Sequence, residues 1–166
     1  MRITENTKYY EVAGLLQYLT PIDEIRLVFA SENYYLGESG WWGMRIGDFI
    51  KLLQGDLSIF GVDKDNAMDV PAFAHFIMKG FAIFMQDFCQ TCKALDVPMT
   101  ANEQRAQSKC LQMGVDEGIL VFCRNYFSLP NFDAVADLPL SDYLLARKDS
   151  YNKTMFEKSY QENFFK

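Results

Sequence analysis

Apolar positions recur along this chain at three- and four-residue steps, the period of a helix with one buried face, in segments parted by short polar or glycine-containing stretches. Tyr9, Val12, Leu15, Leu16 and Leu19 keep that spacing and predict a first helix over Thr7 to Leu19. TPIDEIRLVFASEN follows. Thr20 is suited to cap a second helix there, Pro21 fits its first position, and Asp23 and Glu24 lie where the helix dipole favours negative charge.

Residues 33 to 43 are rich in Gly and Tyr and predict a turn, after which RIGDFIKLLQG resumes as a helix to about Gln54, with Gly55 as its stop. Leu57 to Val62 is open to a strand, although nothing alternates there over a useful length. VDKDNAMD is a polar connection in which Asp69 can cap a long helix from about Val70 to Leu95, with Pro98 past its end. In TANEQRAQ, Thr100 and Glu103 form a capping box, and Leu111, Val115, Ile119, Phe122 and Tyr126 line one face of a fifth helix running to about Phe127. SLPNFDAVADLP reads as a connector with two prolines, and a final helix starts at Leu140 or Ser141. The expected fold is all-α: a single-domain, irregular bundle of about five to six helices over residues 1–166, its C-terminal helix (about 140–165) free to face a partner.

Composition supports a folded chain. Hydrophobic residues make up 49% and charged residues 23%, too apolar for a disordered protein, and 166 residues suffice for a sizeable core. The formal charge of −6 argues against nucleic acid as a partner, because Lys148, Lys153 and Lys158 are interleaved with Asp149, Glu157 and Glu162 and form no basic stripe. Membrane is not expected as a partner either. The longest apolar run, VPAFAHFIMKGFAIFM, falls short of the roughly 20 residues of a bilayer span and contains Lys79. Residues 1 to 20 show no basic start leading into an apolar run, so no secretory signal is read, and the expected location is cytoplasmic with free thiols.

No catalytic constellation survives inspection, and no cofactor or metal is expected. His75 is the sole histidine and reads as a satisfied imidazole among Phe73, Phe76 and Ile77. Around Ser39, GESGW approaches a nucleophile elbow, but Trp41 stands where the tight turn needs a small residue. DKDNAMDVPAFA begins like a calcium loop, yet Ala67, Met68 and Ala74 occupy its key positions, so Asp63, Asp65 and Asp69 read as loop solvation and capping. Cys89 and Cys92 form a CxxC late in a predicted helix, where the dipole disfavours a thiolate; Cys110 and Cys123 lie roughly 140° apart around their helix and do not complete a zinc site. Gly114 and Gly118 make a GxxxG that would let another segment approach closely.

Two aromatic features point to contact with other molecules. Trp41 and Trp42, adjacent in GWWG, cannot both insert into one layer, so they either close the end of the bundle or present a surface to a partner or stacking ligand. Phe156, Tyr160 and Phe164 recur at four-residue steps, with Lys153, Glu157, Lys158 and Glu162 on other faces. These five aromatics are the candidate partner-binding residues. The C-terminal LPLSDYLLARKDSYNKTMFEKSYQENFFK resembles small helical accessory proteins encoded among phage tail and connector genes. That resemblance implies structural or assembly work through protein contacts, in the host cytoplasm or the virion. The expected function is therefore a non-enzymatic protein–protein interaction or assembly role, with a protein partner or a homo-oligomer. The alternative is a thiol-based redox or metal-sensing domain built on Cys89 and Cys92, and a weaker third reading is a small-ligand binder that stacks on the two indoles.

Overall fold

The computed structural model describes residues 3, 4, 7, 9–60, 77–107 and 113–164. Most of these residues are helical, and among them there is no strand, so the described fold is all-α. The first helix is shorter than its apolar spacing predicts: α1, Tyr9–Val12, tightens into a 3-10 segment, Ala13–Tyr18. Gly14 costs an α-helix about 1 kcal/mol relative to alanine, and tighter winding is common where a helix is about to end. Leu15, expected in the buried stripe, is 42% exposed, whereas Val12 is fully buried.

The second helix, α2, spans Pro21–Leu36 and begins as its sequence predicts. Thr20 Oγ1 accepts from the Asp23 amide at 3.3 Å and donates to its carboxylate at 2.7 Å. Gly37, at φ 70°, lets the chain leave the helix in a conformation that other residues adopt at a cost. A 3-10 turn, Trp41–Gly43, leads into α3, Ile46–Leu53. The region open to a strand holds instead a 3-10 turn, Ser58–Phe60; its last two residues, 61 and 62, lie outside the described residues.

Only the later part of the expected long helix is described. It enters as a π-helical turn, Ile77–Phe81, and continues as α4, Ala82–Ala94; the expected start at Val70 lies outside the described residues. The capping box at Thr100 forms reciprocally: the Thr100 amide donates to Glu103 Oε2 at 2.7 Å, and Thr100 Oγ1 accepts from the Glu103 amide at 3.3 Å. The helix it opens, α5, is Ala101–Gln107, and α6 starts anew at Val115 and ends at Tyr126. This corrects the single fifth helix. Gly114 is extended at φ −62°, ψ 165° and serves as a fresh N-cap. The break also changes the buried face of α6, which is set by Ile119 and Cys123, while Val115 is 54% exposed.

The connector before the last helix is not wholly irregular. Asn131 Oδ1 accepts from the Ala134 amide at 2.9 Å and caps α7, Phe132–Ala136, which delivers the fully buried Val135. The last helix, α8, runs Leu140–Phe164 and would measure about 37 Å at 1.5 Å per residue. Its start is tied to the start of α3. The Ile46 amide donates to the Leu138 carbonyl and the Leu140 amide to the Met44 carbonyl, both at 2.8 Å. First-turn amides have no partner inside their own helix, so this exchange satisfies one orphan donor on each.

The core draws on every long element. Phe49 and Leu52 of α3, Phe84 and Phe88 of α4, Ile119 and Cys123 of α6, Val135 of α7 and Leu140 and Tyr143 of α8 form one cluster. Each such side chain contributes on the order of 1.5–3 kcal/mol through removal from water. Phe49 lies at its centre, with Phe81, Phe84 and Phe88 around it at ring-centroid distances of 5.3–6.2 Å.

Candidate functional site

The two adjacent tryptophans part company, as residues pointing in different directions must. Trp41 is 4% exposed and packs its ring against Phe84, stacked at 5.5 Å and 16°, and Phe81, tilted at 5.5 Å. Trp42 is half-buried, edge-on to Phe84 at 5.2 Å and beside Phe88 at 5.8 Å. Gly40, at φ 53°, makes the turn that separates them from α2. The Trp41 amide donates to Glu32 Oε1 at 3.4 Å, and burial pushes the Glu32 carboxyl above its ordinary pKa while this hydrogen bond pulls it back.

The C-terminal stripe occupies a different setting. The buried residues of α8, Leu140, Tyr143 and Ala146, all fall in its first two turns. One helical stretch further, Tyr126 donates to the Asp149 carboxylate, Lys153 pairs with the same carboxylate at 2.6 Å, and the Lys153 ammonium sits 5.7 Å from the Tyr126 ring centroid. Those bonds hold Asp149 below the usual carboxylate range, the Lys153 hydrogen bond foremost. Beyond this latch, Phe156, Tyr160 and Phe164 stack on one another with centroids 6.3 and 4.6 Å apart. They are 71%, 47% and 69% exposed. On another side of α8, Lys158 donates to the Pro98 carbonyl at 2.8 Å and pairs with Glu103 at 3.7 Å, so contacts away from the aromatic row anchor the helix.

Cys89 is exposed and Cys92 half-buried in the last turns of α4. Burial pushes the Cys92 thiol above its ordinary pKa, outweighing its hydrogen bond to the Tyr143 hydroxyl and the nearby Arg147 guanidinium. Burial also pushes Cys123 up to about 11. Reactive cysteines have the opposite shift. Among the described residues, no group of three or more His, Cys, Asp or Glu side chains gathers as metal ligands would. His75, Cys110 and the Asp63–Asp69 carboxylates lie outside the described residues.

The GxxxG reading is corrected by geometry. Gly114 lies before α6, where, among the described residues, an added Cβ would meet only the Asp116 side chain, and at Gly118 it would meet none of them within 4 Å. Close approach falls instead at Gly47 of α3, whose added Cβ would lie 2.9 Å from Ala136 Cβ and 3.2 Å from the Ala136 carbonyl oxygen. Ser39 is an exposed turn residue with no strand before it.

The capping signals that place α2 say nothing of its faces, and it carries apolar residues on two of them. Leu27, Ala30 and Ser31 are buried, yet Ile22, Ile25 and Phe29 are 63%, 53% and 66% exposed. Apolar residues on both sides of a helix mark a second stripe, and that surplus was the available signal. No described helix is long and apolar enough to cross a membrane. No family model matches this chain, and no curated protein or solved structure is recognisably similar to it.

Proposed function

We infer that this chain is a non-enzymatic protein–protein interaction and assembly protein, and that it works through the aromatic end of α8. The observation that carries the reading is the exposed, mutually stacked row of Phe156, Tyr160 and Phe164 on a helix already anchored by other contacts. An amphipathic helical face with anchors at four-residue steps is a recurring recognition mode, and large aromatics contribute most of the energy at protein interfaces. The occupant in this reading is a protein partner or a second copy, on a single irregular helical bundle. The resemblance of the last 30 or so residues to phage tail and connector accessory proteins supports a structural role in assembly, in host cytoplasm or virion. The alternative, redox or metal sensing by Cys89 and Cys92, is weakened by the upward shift of the Cys92 thiol.

The test compares the full chain with a Phe156→Ser, Tyr160→Ser, Phe164→Ser variant by size-exclusion chromatography with light scattering, native mass spectrometry and co-purification from the natural host. Assembly or a retained protein partner that the triple variant loses supports the reading. A wild-type chain that is strictly monomeric and retains nothing the variant loses overturns it.

A further inference from the structure

A groove of about 430 Å³ runs between α2 and α4, walled by Phe29 and Ile83, floored by Trp41 and Trp42, and bordered by the carboxylates of Glu32 and Asp87. Its walls are already solvent-exposed, Phe29 at 66% and Ile83 at 57%. Its volume falls in the range of roughly 300–1,000 Å³ typical of small-molecule sites, which are mostly apolar with a few polar groups that set orientation. The ionisable side chains lining this groove are both acidic. Among the described residues, neither forms an ion pair with a lysine or arginine; Lys79, beside the groove in sequence, is engaged by Glu24. The Glu32 carboxylate is held in place by the Trp41 amide and lies against Gly40, where any side chain would collide with it.

Those features select a ligand by charge. An anion would meet two carboxylates. A neutral apolar ligand would fill the space but strip further water from Glu32, which burial already disfavours in its charged form. A cation offsets that loss and is attracted as well by the half-buried indole of Trp42, indole being the best aromatic partner for ammonium groups. We propose that the groove between α2 and α4 binds a small organic cation, an alkylammonium whose apolar body lies between Phe29, Ile83 and the two indoles and whose charged head sits beside Glu32 and Asp87. The site is separate from the α8 stripe and does not depend on the assembly role.

The chain contains only two tryptophans, and both line the groove, so intrinsic fluorescence reports on it directly. The probes are n-hexylammonium, 1-hexanol and hexanoate, matched in length and differing in charge. Hexylammonium is expected to shift the emission saturably and to bind about tenfold more tightly than hexanol, with hexanoate silent. Glu32→Gln keeps an oxygen to accept from the Trp41 amide and should bring hexylammonium close to hexanol. Ile83→Lys, at an exposed position, supplies a built-in ammonium and should abolish the response, with circular dichroism confirming the fold. The Phe156, Tyr160 and Phe164 triple variant should bind hexylammonium like the wild type. Equal affinity for hexanol, a response that persists in Ile83→Lys, or no saturable response to any probe overturns the proposal.

Discussion

Trp41 lies stacked on Phe84, ring centroids 5.5 Å apart and planes inclined by 16°, so the first indole of GWWG is a core residue while its neighbour Trp42 keeps an accessible edge. Trp41→Ala should destabilise the protein by about 3–5 kcal/mol, the cost of removing a large aromatic from a packed core. Trp42→Ala should cost distinctly less. Urea denaturation followed by circular dichroism measures both, and similar midpoints for the two variants would contradict this placement.

Gly47 is required where α3 meets α7, because the Ala136 backbone and methyl group occupy the space a side chain would need. Gly47→Ala improves helix propensity by about 1 kcal/mol but forces two helices apart, at roughly 1–3 kcal/mol for overpacking. Net destabilisation is expected, and relief by Ala136→Gly in the same chain would identify the contact. A Gly47→Ala protein with raised Tm would refute the close approach.

Ser128 ends α6 with φ 53°, and the Leu129 amide reaches back to the Arg124 carbonyl at 2.9 Å, a helix-terminating turn that favours glycine at the left-handed position. The left-handed conformation costs a non-glycine residue roughly 1–2 kcal/mol, part of which glycine returns through its greater chain entropy. Ser128→Gly should therefore stabilise the protein by up to about 1 kcal/mol. Differential scanning calorimetry checks the sign.

Thiol titration gives a pH dependence. Cys123 is fully buried, and burial raises its pKa to about 11, whereas a thiol in the unfolded chain titrates near about 8.5. Between those values the unfolded chain has lost a proton that the native state keeps, so this contribution to stability is full below about pH 8.5 and declines as pH rises through about 11. Cys92 and Tyr143, also raised by burial, act in the same direction. Cys123→Ala should flatten the fall in denaturation free energy between pH 8.5 and 10. In native protein, a thiol reagent should modify exposed Cys89 well before Cys123.

Removing the α8 stripe should leave stability nearly untouched. Phe156, Tyr160 and Phe164 are largely exposed, and substitutions at such positions usually fall within about 0.5 kcal/mol. Unchanged thermal melting alongside lost association assigns these rings to an interface; a melting temperature lowered by many degrees would make them structural.

Local signals were legible wherever the chemistry lies within one turn of helix. Thr20 with Pro21, the Thr100–Glu103 box, Gly55 and the start of α8 at Leu140 all operate over a few residues, and they stand where their sequence places them. Asn131 carried the same kind of signal, but two nearby prolines masked a five-residue helix. Periodicity misled when a glycine interrupted it, as Gly14 did by tightening α1 and Gly114 by parting α5 from α6.

The sequence by itself determined the helical class, most helix starts and the aromatic repeat of α8, because propensity, capping and a 3.6-residue period are local properties of a chain. Tertiary structure decided which of two adjacent indoles is enclosed, which glycine another backbone approaches, and that Ile25 and Phe29 line a surface groove instead of the core. Those outcomes depend on contacts between residues 40 to 90 positions apart, such as Trp41 with Phe84 and Gly47 with Ala136, and a pattern read along one segment carries no information about what packs against it.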